Sequence, residues 1–261
     1  MKGIILAAGM GTRLLPLTLN QPKCLVNVAG KPMMAYQLDS LRVAGIEECT
    51  IVVGHMSESV RNFFGSNYRG VRLSYVENTN YDTTNNLCSL WQARMEFNDD
   101  VLLLESDLVF DDQLICELIR VDHPNVAVVD RFRPGMDGSV IVADGGAVKA
   151  LVLKSEQSHG FDYSSALKTV NIYRLSNETL IETILSEMEK FLAEGRTDQY
   201  YESVFATLIG SNRMDMSVME TGNMHWAEID TLDDLREAEN MLQRANIGSI
   251  FNWPARTALV E

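Results

Sequence analysis

The sequence predicts an open α/β sheet, mainly parallel, with helices on both faces. Three observations predict it. Short apolar runs alternate with amphipathic stretches from residue 3 to residue 76, an order that implies parallel pairing through crossover connections. A glycine turn, Gly9-Met10-Gly11, follows the first run at once, at the carboxyl end of a strand, where ligands bind in such sheets. Two later runs end abruptly in carboxylates, at Asp107 and Asp230.

The elements follow in order. Gly3 to Ala8 reads as a buried strand. The turn after it needs positive φ or close backbone approach, which glycine supplies, and its bare N–H groups suit a phosphate. Arg13 and the Pro22-Lys23 pair bring two cations to it, a charge better suited to a triphosphate than to a dinucleotide. A dinucleotide fingerprint would need Gly or Ala where Leu14 stands, and a Walker A loop would end in Gly-Lys-Ser/Thr; neither is present. Pro32 to Ala44 keeps an apolar stripe at helical spacing and stops at Gly45. Cys49 to Gly54 and Val71 to Val76 are further strands, with a helix from Ser57 to Phe64 between them and Ser57 as its N-cap.

Asn78 to Asn86 is a polar run leading into a helix at Leu87. It reads either as a turn before a capped helix or as amides and helix N–H groups that meet the edge of a base. Val101 to Asp107 is an apolar strand ending in Glu105-Ser106-Asp107. A carboxylate at a buried strand end needs compensation, and Mg²⁺ supplies it while taking phosphate oxygens as further ligands. Alternation puts Glu105 on the Asp107 side, where it tunes the site without being a ligand. After the strand Val126 to Asp130, Arg131 and Arg133 are either phosphate holders or surface charge. A hairpin follows around Asp144-Gly145-Gly146.

Leu167 to Tyr173 is a strand carrying Lys168, Thr169 and Asn171. A lysine there needs an anionic partner, for which a substrate phosphate is the candidate, or it is solvated if the strand lies at an edge. Asn177 to Glu194 reads as one long amphipathic helix. Another begins at Asp198, where Tyr200, Tyr201 and Glu202 would suit an ammonium group or simply pack. Trp226 to Ile229 is a strand ending in Asp230, and Thr231 caps the helix Leu232 to Gln243.

Composition narrows the function. The chain has 261 residues, 46% hydrophobic and 22% charged, as expected of a soluble domain. Residues 1–243 are expected to form that domain, and 244–261 a tail that packs on it, binds a second subunit or leads onward. A net charge of -14 argues against nucleic acid and anionic membranes as partners. The four widely spaced cysteines indicate neither a zinc site nor disulfides, and with no secretory leader or membrane-length apolar run the expected location is cytoplasmic. The chain is expected to be a monomer or a homodimer.

Leu6-Ala-Ala-Gly-Met-Gly-Thr-Arg13 with Pro22-Lys23 resembles the signature of nucleotidyltransferases that couple a nucleoside triphosphate to a small phosphate- or phosphonate-bearing molecule. The resemblance runs from Met1 to about Gln243 and implies a Rossmann-like sheet of the nucleotide-diphospho-sugar transferase type. It also implies nucleotide binding by Leu6, Ala7, Ala8, Gly9, Gly11, Thr12, Arg13 and Lys23, with the last two as the catalytic cations. Thr84-Asn85-Asn86-Leu-Cys-Ser89 resembles the base-pocket segment of phosphocholine-type cytidylyltransferases, which implies CTP. Asp107 and the Glu228-Ile-Asp230 stretch resemble the family's two Mg²⁺ aspartates. Arg131, Lys168, Asn171, Tyr200, Tyr201 and Glu202 are the implied acceptor-binding set, for phosphocholine, an aminoalkylphosphonate such as 2-aminoethylphosphonate, or a phosphorylated amino acid. The rival readings are a sugar-1-phosphate nucleotidylyltransferase using UTP or dTTP, and a nucleotide-sensing module without turnover.

Overall fold

The computed structural model describes residues 1–245; the tail expected at residues 244–261 lies outside them from residue 246 onward. The strands and helices are β1 (Lys2–Ala7), α1 (Met33–Val43), β2 (Glu48–Val53), α2 (Ser57–Phe64), β3 (Val71–Glu77), α3 (Asn86–Gln92), β4 (Val101–Glu105), β5 (Leu108–Phe110), α4 (Gln113–Arg120), β6 (Val126–Arg131), β7 (Val140–Asp144), β8 (Ala147–Val152), β9 (Ala166–Leu175), α5 (Leu185–Ala193), α6 (Tyr201–Gly210), β10 (Ser217–Glu220), β11 (Trp226–Glu228) and α7 (Leu232–Ala245).

The central sheet runs β7-β8-β10-β6-β9-β4-β1-β2-β3, with the short strand Asn67–Tyr68 at its edge. As the alternation predicts, β1, β2 and β3 are parallel, and β4 joins β1 in the same direction. β9 enters antiparallel between β4 and β6. Its first residues also pair with β7, so the far end of the sheet closes into a ring through β8, β10 and β6. This closure depends on pairings between distant segments that local pattern does not announce.

Side-chain alternation along the strands divides the core. Ile5, Ala7, Leu102 and Leu104 pack with α1, α2 and α4 on one face. Ile4, Leu6, Val101 and Leu103 pack with α3, α5 and α6 on the other. A third cluster joins Leu14, Met33 and Tyr36 to Ile229, Ala238 and Leu242, which docks α7 beside the opening loop. Among the described residues no helix is long and apolar enough to cross a membrane.

Four local readings change. Met56, with φ 51°, holds the N-cap position of α2 and Ser57 is its first residue; the Ser57 hydroxyl donates to Glu77 instead. The expected long helix from Asn177 contains a wider turn over Leu180–Ile184 before α5, which shifts the stripe and leaves Ile181 exposed. α6 starts at Tyr201 rather than Asp198, because Thr197 to Gln199 accept hydrogen bonds from the start of α3. β9 is interior, and it bulges where Asn171 takes φ 60°.

Asp39 on α1 is fully buried and lies 2.6 Å from the buried Lys31, with Arg69 at 3.3 Å. Burial lowers the Lys31 pKa, and Asp39 opposes that. Asp39→Ala would leave Lys31 buried without its nearest carboxylate, at a cost of about 3–5 kcal/mol. Urea unfolding is expected to show the lower midpoint with an unchanged slope.

Candidate active site

The carboxyl ends of β1 and β4 open into a cleft of about 410 Å³. Leu6, Ala7, Ala8, Gly9, Gly11, Thr12, Arg13 and Lys23 line one side, and Thr84, Asn85, Asn86 and Ser89 another; Asp107, Tyr200 and Asp230 complete it. Gly11 has φ 63°, and a Cβ there would stand 2.8 Å from Lys23 Cβ. Both its conformation and the close passage of Lys23 therefore require glycine.

Lys23 is the centre of the site. Its Nζ donates to Asp107 Oδ2 at 2.6 Å and to Asp230 Oδ1 at 2.7 Å, and Arg13 donates to the same Asp230 oxygen at 2.8 Å. Burial acts to lower the Lys23 pKa, but the charges of Asp107 and Asp230 outweigh it and hold the ammonium above its ordinary range. Asp230 is placed by its successors: Asp234 accepts from the Asp230 and Thr231 amides, and Thr231 Oγ1 accepts from the Asp234 amide. Thr231 thus caps α7 as the sequence predicts, and Asp234 makes the cap reciprocal.

The donor set fits a hard divalent cation. Asp107 Oδ1 is buried without a hydrogen-bond partner. No group of three or more His, Cys, Asp or Glu side chains that could hold a metal exists among the described residues. An ion held by Asp107 and Asp230 would thus complete its shell with water and ligand oxygens, as Mg²⁺ does beside phosphates.

Asn85 and Asn86 line the cleft, but their amides bond to other protein groups. Asn85 Oδ1 accepts from the Asn86 amide and its Nδ2 donates to Asp198 O. Asn86 Nδ2 donates to Glu105 Oε1, and its Oδ1 accepts from the Tyr201 amide. The Leu87 amide reaches Gln199 O at 3.4 Å. The helix N–H groups and amides expected to meet a base are therefore largely engaged, by Asn85, Glu105 and residues 198–201. Asn78 Nδ2 donates to the Thr84 and Ser89 hydroxyls, so these stiffen the same wall.

The residues expected to hold the acceptor are more dispersed. Tyr200 is half exposed in the cleft. Tyr201 and Glu202 are buried: the Tyr201 hydroxyl donates to Glu105 and the Tyr173 hydroxyl to Glu202. Of the two readings the sequence left open for them, ammonium binding or packing, the structure shows packing, because α6 turns its first apolar face inward. Lys168 is buried, with Nζ 2.7 Å from Thr169 O and 3.4 Å from Glu228 Oε2. Its anionic partner is a protein carboxylate. Asn171 Nδ2 donates to Glu228 Oε1, and neither residue lines the cleft. Arg131 is exposed at the end of β6, away from the cleft lining.

Glu105 and Glu228 carry more of the site than sequence indicated. Glu105 lines the cleft, and burial, then the Asp107 charge, push its carboxyl well above the ordinary range. Burial pushes Glu228 up to about 7, with Lys168 opposing and Asp107 adding. Asn78 and Tyr81 also line the cleft; the position of Asn78 directly after β3 was the available signal.

A phosphate-cradling loop, paired cations and paired aspartates at the strand ends of an open α/β sheet define a nucleotide-transferring enzyme. The chain belongs to the nucleotidyl transferase family, whose profile matches residues 2–245. It is 33% identical over 239 residues to the CMP-5'-(3-aminopropyl)phosphonate synthase of Streptomyces rubellomurinus, covering 91% of this chain and 38% of that longer protein. It is 30% identical over 247 residues to the choline-phosphate cytidylyltransferase of Streptococcus pneumoniae, covering 94% of this chain and all of that one. The solved structure of the CTP:phosphocholine cytidylyltransferase from Streptococcus pneumoniae superposes with a TM-score of 0.76 at 27% identity, over 92% of this chain and 98% of that one.

Lys23→Ala and Asp107→Ala are each expected to lower turnover by about 10²-fold or more while keeping a cooperative thermal transition. Steady-state kinetics beside calorimetry would show it, and near-wild-type rates in either variant would remove these residues from the chemistry.

Proposed function

We propose that the protein is a cytidylyltransferase: CTP and a small phosphate- or phosphonate-bearing acceptor give a CMP-linked product and pyrophosphate. The observation that carries this reading is the convergence of Arg13, Lys23, Asp107 and Asp230 beside the glycine turn. The preference for CTP rests on what the phosphonate and phosphocholine relatives are named for.

An acceptor oxyanion attacks the α-phosphorus, a new O–P bond forms, and the bond to the bridging oxygen of pyrophosphate breaks. The oxyanion is already a nucleophile, so positioning and charge neutralisation suffice. Asp107 and Asp230 would hold Mg²⁺, which supplies positive charge at the reacting phosphate. Lys23 and Arg13 exchange carboxylate partners for phosphate oxygens when the nucleotide enters, and they neutralise the departing pyrophosphate. The exposed Tyr200 ring offers its face to a cationic end of the acceptor, which favours zwitterions such as 2-aminoethylphosphonate or phosphocholine.

Pyrophosphate release with Mg²⁺ is the test, with CTP and then UTP against phosphocholine, 2-aminoethylphosphonate, phosphorylated amino acids and hexose 1-phosphates. The expected result is a signal with CTP and one zwitterionic acceptor. A signal confined to a hexose 1-phosphate with UTP would overturn the assignment. Tyr200→Ala is expected to raise the KM of the zwitterionic acceptor about 3- to 30-fold, the worth of one cation–π contact, and to leave the KM of CTP nearly unchanged.

A further inference from the structure

One polar junction in the wall of the cleft has no part in the reaction described above. Asn86, the first residue of α3, uses both ends of its amide there. Its Nδ2 donates to Glu105 Oε1 at 3.1 Å, and its Oδ1 accepts from the Tyr201 amide at 2.9 Å. The Tyr201 hydroxyl closes the triangle by donating to the same Glu105 oxygen at 3.0 Å. Further bonds join the same two segments: the Asn85 amide to Thr197 O at 2.9 Å, Asn85 Nδ2 to Asp198 O at 3.2 Å, and the Leu87 amide to Gln199 O at 3.4 Å.

Residues 197–200 thus form a strap held against the start of α3. Tyr200 is the strap residue that lines the cleft, and it is 53% exposed. Its ring is half exposed, so its position depends strongly on where its backbone is held. That backbone is anchored one residue later, where the Tyr201 amide meets Asn86. Each end of the Asn86 amide retains one further hydrogen-bonding valence, and its orientation is set by Glu105 and Tyr201.

We propose that Asn86 is a positioning residue for the acceptor: it ties α3 to Glu105 and the Tyr201 amide, and so sets where Tyr200 stands in the cleft. Acceptor affinity, not base selection, then depends on it. The inference rests on the cytidylyltransferase reading with Tyr200 on the acceptor side. The competing role is direct reading of the base by Asn86, from the wall it shares with Thr84 and Ser89, and the two roles separate in kinetics.

The experiment measures the KM of CTP and of the acceptor, with 2-aminoethylphosphonate and phosphocholine as probes, for the wild type, Asn86→Ala, Tyr200→Ala and the double variant. Loss of two hydrogen bonds is expected to raise the acceptor KM of Asn86→Ala by about tenfold or more, with the KM of CTP within about threefold. The double variant is expected to be no worse than Tyr200→Ala, since both act through one ring. Should Asn86→Ala fail to fold, Asn86→Asp keeps the acceptor for the Tyr201 amide, loses the donor to Glu105, and is read in the same way. An effect confined to CTP, a relaxed CTP-to-UTP preference, equal effects on both substrates, additive effects in the double variant, or no effect would each overturn the proposal, as would failure of both Asn86 variants to fold. Absence of pyrophosphate release by the wild type with CTP and either probe or a phosphorylated amino acid would instead defeat the underlying cytidylyltransferase reading.

Discussion

The Lys23 ammonium, shared between Asp107 and Asp230, is the interaction on which the rest of the site depends. Its two partners lie 84 and 207 residues away in sequence. Each is delivered by a different strand end, Asp107 after β4 and Asp230 after β11. Two carboxylates drawn this close repel each other in a partly buried cleft, and Lys23 compensates that repulsion in the free protein. The same arrangement can exchange partners. In the proposed reaction a nucleotide would bring phosphate oxygens for the cations, and a divalent ion would take over the carboxylates.

Around this pair the structure manages an unusual density of acid. Glu105, Asp107, Glu228 and Asp230 lie near one another, and their mutual charges contribute to the raised carboxyls of Glu105 and Glu228. Lys168, buried in β9, answers Glu228 from behind, while Asn86 and Tyr201 donate to Glu105 from α3 and α6. Buried carboxylates are tolerable only with such partners. The polar network therefore connects the sheet, the α3 wall and the strap at residues 197–200.

Much of this was legible in the sequence where the signal is local. The strand–glycine-turn junction at Gly9, the cations Arg13 and Lys23, and the apolar runs ending at Asp107 and Asp230 each announce themselves by residue type at a strand end. The Thr231 cap of α7 was equally readable. What escaped depends on tertiary pairing. Lys168 read as a substrate ligand because Glu228, 60 positions later in number, cannot be seen as its partner from local sequence. Tyr201 and Glu202 were left between ammonium binding and packing because the start of α6 is set by hydrogen bonds to α3. The bulge at Asn171 and the ring closed by β7 and β9 have no local signature at all.

The central claim is that Asp107 and Asp230 serve a divalent ion once Lys23 turns to the nucleotide. Calorimetric titration of CTP into wild type and Asp107→Asn, with and without Mg²⁺, tests it most directly. The account predicts that Mg²⁺ strengthens CTP binding to the wild type and that this gain disappears in Asp107→Asn while Mg²⁺-free binding persists. An undiminished Mg²⁺-dependent gain in the variant would contradict it.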